Sequence, residues 1–290
     1  MPKLVELFRK EWSTEPGTTD PKAPFGIVSL SSHDSEGAKD MASFRWAQQG
    51  SYGTVPNAIM ENTFMAHGFD LQDPWSGSTG ACITAPLPGY NCKTPWFMGP
   101  GIHPRLKKPV GQRLALGAMQ TAYGKGGGVY AGVIAGCTST GTAAAAAGGG
   151  KLTLSFDVSA GRKLSVGPYN RSNPSLSATA VLVNTTWYPV HINAGEASGT
   201  IEVDLSSLPA GIPSGIRYAW GTTDGANPQP NGDDVSCCEG DGLAAPCIPT
   251  QCPLLVAEPL APFGALPIDP FLAKIVSGKC LCPEPQTCSK

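Results

Sequence analysis

Glycine and proline interrupt this chain too often for long helices. There are 36 Gly and 28 Pro in 290 residues, against average usage of roughly 7 % and 5 %. A Pro in a helix interior costs about 3 kcal/mol and a Gly about 1 kcal/mol relative to Ala. Strands and loops should therefore dominate. Only 14 % of residues are charged and the net charge is -2. That balance offers no basic footprint for nucleic acid and is too weakly charged for a solvated disordered chain. The length suggests about two domains.

Ten cysteines sit at 82, 92, 137, 237, 238, 247, 252, 280, 282 and 288. Seven of them follow residue 236, in a Pro-rich tail. That density points to a disulfide-tied secreted segment. Reduced cytosolic thiols are the plainer alternative. A zinc site would need paired ligands at close spacing, and the tail has no CxxC pair and no nearby His. Asn170-Arg171-Ser172 and Asn184-Thr185-Thr186 are glycosylation sequons. The opening residues contrast with a secretory route. Residues 1–12 form an amphipathic pattern with Leu4, Leu7, Phe8 and Trp12 on one face, not a signal peptide. The chain is then either cytosolic or has its true start upstream of Met1. No stretch is apolar enough to span a membrane.

Four regions follow from the patterning. Residues 1–125 read as α/β: a helix over 3–12, a strand over 25–30, a buried strand over 64–71 ending near Asp70, and a helix over 105–123. That last helix carries Leu106, Val110, Leu114, Ala118 and Ala122 at spacing four, with Gly124 as its C-cap. A long Gly/Pro/Ser loop fills 74–101, and Cys82 and Cys92 are placed to staple it. Residues 126–150 are a Gly/Ala linker. Residues 151–224 alternate as strands, with Leu152, Leu154, Phe156 and Val158 on one face and Ile201, Val203 and Leu205 on another strand's face. A small antiparallel β-sandwich is expected there. Residues 225–290 form a Cys/Pro-rich tail with little periodicity.

His103, in Gly101-Ile102-His103-Pro104-Arg105, stands at a loop-to-helix junction. A doubly wound sheet places its active site at such junctions. A general base needs a nucleophile on one ring nitrogen and a carboxylate on the other. Asp70 and Asp73 are the nearest such carboxylates. A His that merely caps or packs the helix start is the bland reading. No G-x-S-x-G elbow supplies a nucleophile. Ser76-Gly77-Ser78-Thr79-Gly80 reads as a turn, His67 as a core residue, and His33 and His191 as surface. Gly126-Gly127-Gly128-Val129-Tyr130-Ala131 fits a dinucleotide fingerprint in letters only, because it follows a helix. No metal or cofactor is expected.

A resemblance ties these pieces together. The runs are Pro24-Phe25-Gly26-Ile27-Val28-Ser29-Leu30-Ser31, Arg45-Trp46-Ala47-Gln48, Val55-Pro56-Asn57, Asn62-Thr63-Phe64-Met65-Ala66, Asp70-Leu71-Gln72-Asp73 and Gly101-Ile102-His103-Pro104-Arg105. They continue with Val110 to Ala118, Arg217-Tyr218-Ala219-Trp220 and Gln251-Cys252-Pro253-Leu254. In this order they resemble the C-terminal half of the sialate O-acetylesterases. The resemblance implies part of an SGNH-type three-layer α/β domain followed by a β-region, in a secreted or lysosomal protein. It implies hydrolysis of O-acetyl esters of sialic acid or related sugars through an acyl-serine. His103 matches the family's catalytic His, with Asp70 or Asp73 left as its partner. The family's nucleophile Ser and oxyanion residues lie in the half that this chain lacks, so the isolated chain is expected to be inactive. A catalytically inactive glycan-binding or structural module on the same scaffold is the alternative, and exposed Trp187, Tyr188 and Trp220 would favour it.

Overall fold

The computed structural model describes residues 1–30, 38–69, 107–125, 132–140, 150–158, 163–166, 179–219, 254–257 and 265–281. The first part is a small α/β unit. Helix α1 spans Pro2–Trp12, with Pro at its first turn where no N–H is needed. Strand β1 (Phe25–Val28) pairs in parallel with β2 (Thr63–Ala66), in register Phe25 to Thr63 through Val28 to Ala66. Helix α2 (Ala38–Gln48) connects toward β2, and α3 (Lys108–Tyr123) follows it.

The pleat sorts β1 and β2 onto two faces. Ile27 and Met65 join Val5 of α1, Val55 and Met60 in one core. Gly26 and Phe64 face α3: a Cβ on Gly26 would lie 2.7 Å from the Phe64 ring and 3.4 Å from Leu114. The parallel pair is thus covered by helices on both sides, as parallel strands require.

Two helices depart from their sequence patterns. The expected face of α1 remains largely outside, since Leu4, Leu7 and Trp12 are about half exposed and Val5 is its buried residue. Arg9 sets that orientation. Its Nε donates to Ala23 O at 2.9 Å, and its Nη2 donates to Glu61 O at 2.8 Å and Asn62 O at 3.2 Å. Helix α3 ends as expected on Gly124 in the left-handed conformation, φ 61°. Its deepest line, however, runs through Arg113 and Gly117, with Val110, Leu114 and Ala118 half-buried and Ala122 exposed. Gly117 is chosen over its neighbours because the Phe64 ring occupies the volume a side chain would need.

The second part is antiparallel. Strands β3 (Val133–Thr140), β4 (Lys151–Asp157), β6 (Thr179–Val183), β7 (Thr186–Pro189), β8 (Ile192–Ala194), β9 (Thr200–Asp204), β10 (Pro213–Tyr218), β13 (Phe271–Val276) and β14 (Lys279–Leu281) form one sheet. Its order is β7-β6-β10-β13-β14-β3-β4-β9-β8. A three-stranded sheet of β12 (Ala265–Pro267), β11 (Leu254–Ala257) and β5 (Lys163–Val166) accompanies it. Leu152, Leu154 and Phe156 of β4 are buried on one face, as their alternation requires. Ile201 and Val203 of β9, Val181 and Val183 of β6, Ile216 and Tyr218 of β10, and Phe271 and Ala273 of β13 join the same core. Leu254, Val256 and Leu266 from the smaller sheet complete it. Residues from both flanks of nine strands meet one core, so the large sheet curls.

This arrangement revises two expected boundaries. The 126–150 segment is not only a linker, because it contains β3, which pairs with β4 from Val133 to Thr140. The 225–290 tail contributes β11 to β14, and β13 lies centrally beside β10. The sandwich expected within 151–224 is a sheet that also needs strands from before and after that range. Cys137 and Cys280 form a disulfide between neighbouring strands β3 and β14, 143 residues apart. The expected Cys82–Cys92 staple and the other tail cysteines lie outside the described residues.

Candidate active site

The carboxyl ends of β1 and β2 carry a buried polar cluster. Just past β1, Ser29 N–H donates to Ala66 O at 2.9 Å, and the Ser29 hydroxyl accepts from Gly68 N–H at 2.9 Å. Beyond β2, His67 Nε2 lies 2.6 Å from Asp269 Oδ1, and both side chains are buried. Asp269 comes from the turn between β12 and β13, where Ile268 N–H also donates to Leu254 O at 3.1 Å. Arg113 Nη1 of α3 donates to His67 O. His67 Nδ1 is buried with no hydrogen-bond partner among the described residues.

Arg45 of α2 extends the cluster toward the large sheet. Its Nη1 donates to Ala219 O at 3.2 Å, and its guanidinium lies 5.9 Å from the Phe69 ring centre. Phe69 is fully buried in the large sheet's core, 5.1 Å from the His67 ring. The α/β unit therefore meets the curled sheet through a continuous set of residues: His67 on Asp269, Phe69 in the core, and Arg45 on Ala219. Buried polar groups of this kind persist only when paired.

The direction of α3 is decisive for position. Arg113, in its second turn, reaches His67 O beyond the end of β2, while Gly117, one turn later, sits on Phe64 near the start of β2. The helix therefore runs antiparallel to β2, and its N-terminus projects past the strand's carboxyl end. Phe69 and Lys107, the described residues on either side of 70–106 in sequence, thus lie on the same side of the sheet. This is the side on which open α/β sheets bind ligands.

His103, Asp70 and Asp73 all belong to that segment and lie outside the described residues. His67, expected as a core residue, is buried, and its Nε2 lies within hydrogen-bond distance of Asp269 Oδ1. His191 is exposed, as expected, and His33 lies outside the described residues. Ser29, Arg45 and Arg113 stand inside the runs that carry the resemblance but gain no role from sequence, and Asp269 stands in none of them. Asp269 sits about two hundred residues from its partner, so no local pattern could reveal the pair. Among the described residues no three His, Cys, Asp or Glu side chains converge as metal ligands, and no helix is long and apolar enough to cross a membrane. Trp187 is half-buried with the Arg217 guanidinium 4.3 Å from its ring centre, and Tyr188 is also half-buried. Trp220 lies outside the described residues.

Comparison with known proteins agrees with the residue-level resemblance. No family model matches the chain. It is 30 % identical to the sialate O-acetylesterase of Mus musculus over 226 residues, covering 76 % of this chain and 35 % of that protein. It is 37 % identical to the Homo sapiens sialate O-acetylesterase over 129 residues, covering 43 % of this chain and 20 % of that protein. A carbohydrate acetylesterase structure from Xanthomonas citri superposes with a TM-score of 0.54 at 20 % identity, covering 93 % of this chain and 44 % of the other. The latter likeness concerns the fold alone. The chain spans about a third of the mouse relative's length. Over three quarters of its own length, this chain is related to the sialate O-acetylesterases.

Proposed function

We propose that the chain is part of a carbohydrate O-acetylesterase of SGNH type, acting on O-acetyl esters of sialic acid or a related sugar in a secreted or lysosomal setting. The observation that supports this reading is the position of the flanking residues: Phe69 and Lys107 both lie at the carboxyl end of the parallel strands. His103, Asp70 and Asp73 stand between them in sequence. His103 acts as general base and Asp70 or Asp73 orients it. A Ser supplied from outside residues 1–290 attacks the acetyl carbonyl, and its proton passes to His103. Hydrogen-bond donors hold the oxyanion. The protonated His103 then gives the proton to the departing sugar hydroxyl, and water releases acetate from the acyl-serine with the same residue as base. No cofactor enters the reaction.

The test is acetate release from O-acetylated sialic acid by the chain combined with the rest of a sialate O-acetylesterase domain. His103→Ala should lower kcat by about 10³-fold or more with little change in KM. Asp70→Asn and Asp73→Asn identify the orienting carboxylate, since only that variant should approach the loss seen for His103→Ala. Unchanged turnover in His103→Ala would overturn the assignment.

A further inference from the structure

Residues 66–69, at and just past the end of β2, are tied to four different parts of the fold. Ala66 O accepts from Ser29 N–H, and Gly68 N–H donates to the Ser29 hydroxyl, each at 2.9 Å. Arg113 of α3 donates to His67 O. The Phe69 ring is buried in the core of the large sheet. The fourth tie is the His67 side chain, whose Nε2 meets Asp269 Oδ1 at 2.6 Å. Asp269 is itself fixed. Its backbone N–H donates to Gly132 O, just before β3, at 3.4 Å, and the N–H of the preceding Ile268 donates to Leu254 O of β11 at 3.1 Å. The Ile268 side chain is fully buried. The turn that carries the carboxylate is thus anchored to both sheets.

The His67 ring depends on this carboxylate. Its Nδ1 is buried with no hydrogen-bond partner among the described residues, so Nε2 is the ring's polar anchor among them. An acceptor on one ring nitrogen fixes the tautomer and the ring plane together, which places the proton on Nε2. Loss of the carboxylate would release both at once.

We propose that Asp269 is a positioning residue for the esterase reaction. From the curled sheet it orients His67, and through His67 it fixes the carboxyl end of β2, the end at which open α/β sheets carry their chemistry. It acts through the strand end and transfers no proton itself. This inference rests on the esterase reading for the reaction served, and it adds a dependence of turnover on the antiparallel region. A merely structural pair is dispensable once its volume is filled, because apolar side chains of similar size often replace a buried polar pair without loss of stability. A positioning pair is not dispensable in that way.

The test uses that difference. His67→Phe combined with Asp269→Leu fills the site with apolar side chains, and Asp269→Asn keeps an acceptor for the His67 Nε2–H. Circular dichroism verifies that each variant folds. In the 290-residue chain alone, the Gly68 amide should exchange at least tenfold faster in the double variant than in the unmodified chain, with Leu154 of β4 unchanged. Nitrogen NMR of the imidazole should place the His67 proton on Nε2 in the unmodified chain and in Asp269→Asn. In the completed esterase domain, the double variant should lower kcat at least tenfold with KM within twofold, since a small misplacement near the reacting centre is costly. Asp269→Asn should keep at least half of kcat. Cys137→Ser with Cys280→Ser, which weakens the fold elsewhere, should keep kcat within twofold. Should the double variant not fold, Asp269→Ala, assayed well below its denaturation midpoint, should show the same loss of kcat at constant KM. Unchanged kcat in the folded double variant or in Asp269→Ala would overturn the proposal. So would an Asp269→Asn protein as impaired as the double variant, or a His67 proton found on Nδ1. No acetate release from the unmodified completed domain would instead overturn the esterase reading, and unchanged Gly68 exchange in the double variant would then overturn the Asp269 link separately.

Discussion

Asp269 Oδ1 and His67 Nε2 meet at 2.6 Å across 202 residues of sequence, and their contact joins the end of a parallel strand to the turn between two antiparallel ones. Removing one partner of a buried pair strands the other without solvent, which typically costs 3–5 kcal/mol, roughly, while replacing both is much cheaper. His67→Ala and Asp269→Ala should each destabilise the chain by about 3 kcal/mol. The double variant should cost clearly less than the sum of the two. Urea denaturation of the four proteins measures this. Additive losses would show that the pair is not coupled.

Gly117 separates two opposing effects. Gly117→Ala should gain about 1 kcal/mol of helix propensity. The new methyl group would collide with Phe64, which also packs against Gly26 and so cannot retreat freely. Overpacking of this kind costs about 1–3 kcal/mol. Net destabilisation is expected, and thermal denaturation would register it. A stabilised Gly117→Ala protein would mean that Phe64 repacks at little cost.

The Cys137–Cys280 disulfide closes a loop 143 residues apart in sequence and ties β3 to β14. A closed loop of that length is worth about 5 kcal/mol in the chain-entropy account, with about 2–4 kcal/mol as the usual measured range. Cys137→Ser with Cys280→Ser should lower the denaturation midpoint accordingly and leave in place the His67–Asp269 contact between the α/β unit and the turn before β13. A midpoint unchanged within error would show that the sheet holds these strands without the bond.

Some of this architecture was legible in the sequence, and its limits have physical causes. The alternation of Leu152, Leu154 and Phe156 announced β4 because one face of that strand is buried and the other is not. Gly124 announced the end of α3 because a left-handed residue closes the helix there. The amphipathic residues of α1 misled, because Arg9 fixes the helix by hydrogen bonds to three carbonyls and leaves the apolar face outside. Strand β3 was hidden in a run of small residues. Its pairing depends on β4 and β14, which lie elsewhere in the chain. The polar cluster was illegible for the same reason. Asp269 and His67 gain meaning only when the turn before β13 is laid against the end of β2. The family resemblance was legible because its runs are local: Arg45 and Arg113 stand inside quoted motifs, although their bonds to Ala219 O and His67 O emerge only in three dimensions.

The most direct test of the account is acetate release from O-acetylated sialic acid by purified residues 1–290, measured alone and after addition of the rest of the esterase domain. The proposed mechanism puts the base at His103 and takes the nucleophile from outside residues 1–290, so the chain should release acetate at the rate of buffer when alone. Turnover should appear on completion and vanish with His103→Ala. Hydrolysis by the unaccompanied chain, or turnover in the completed domain that survives loss of His103, would contradict the account.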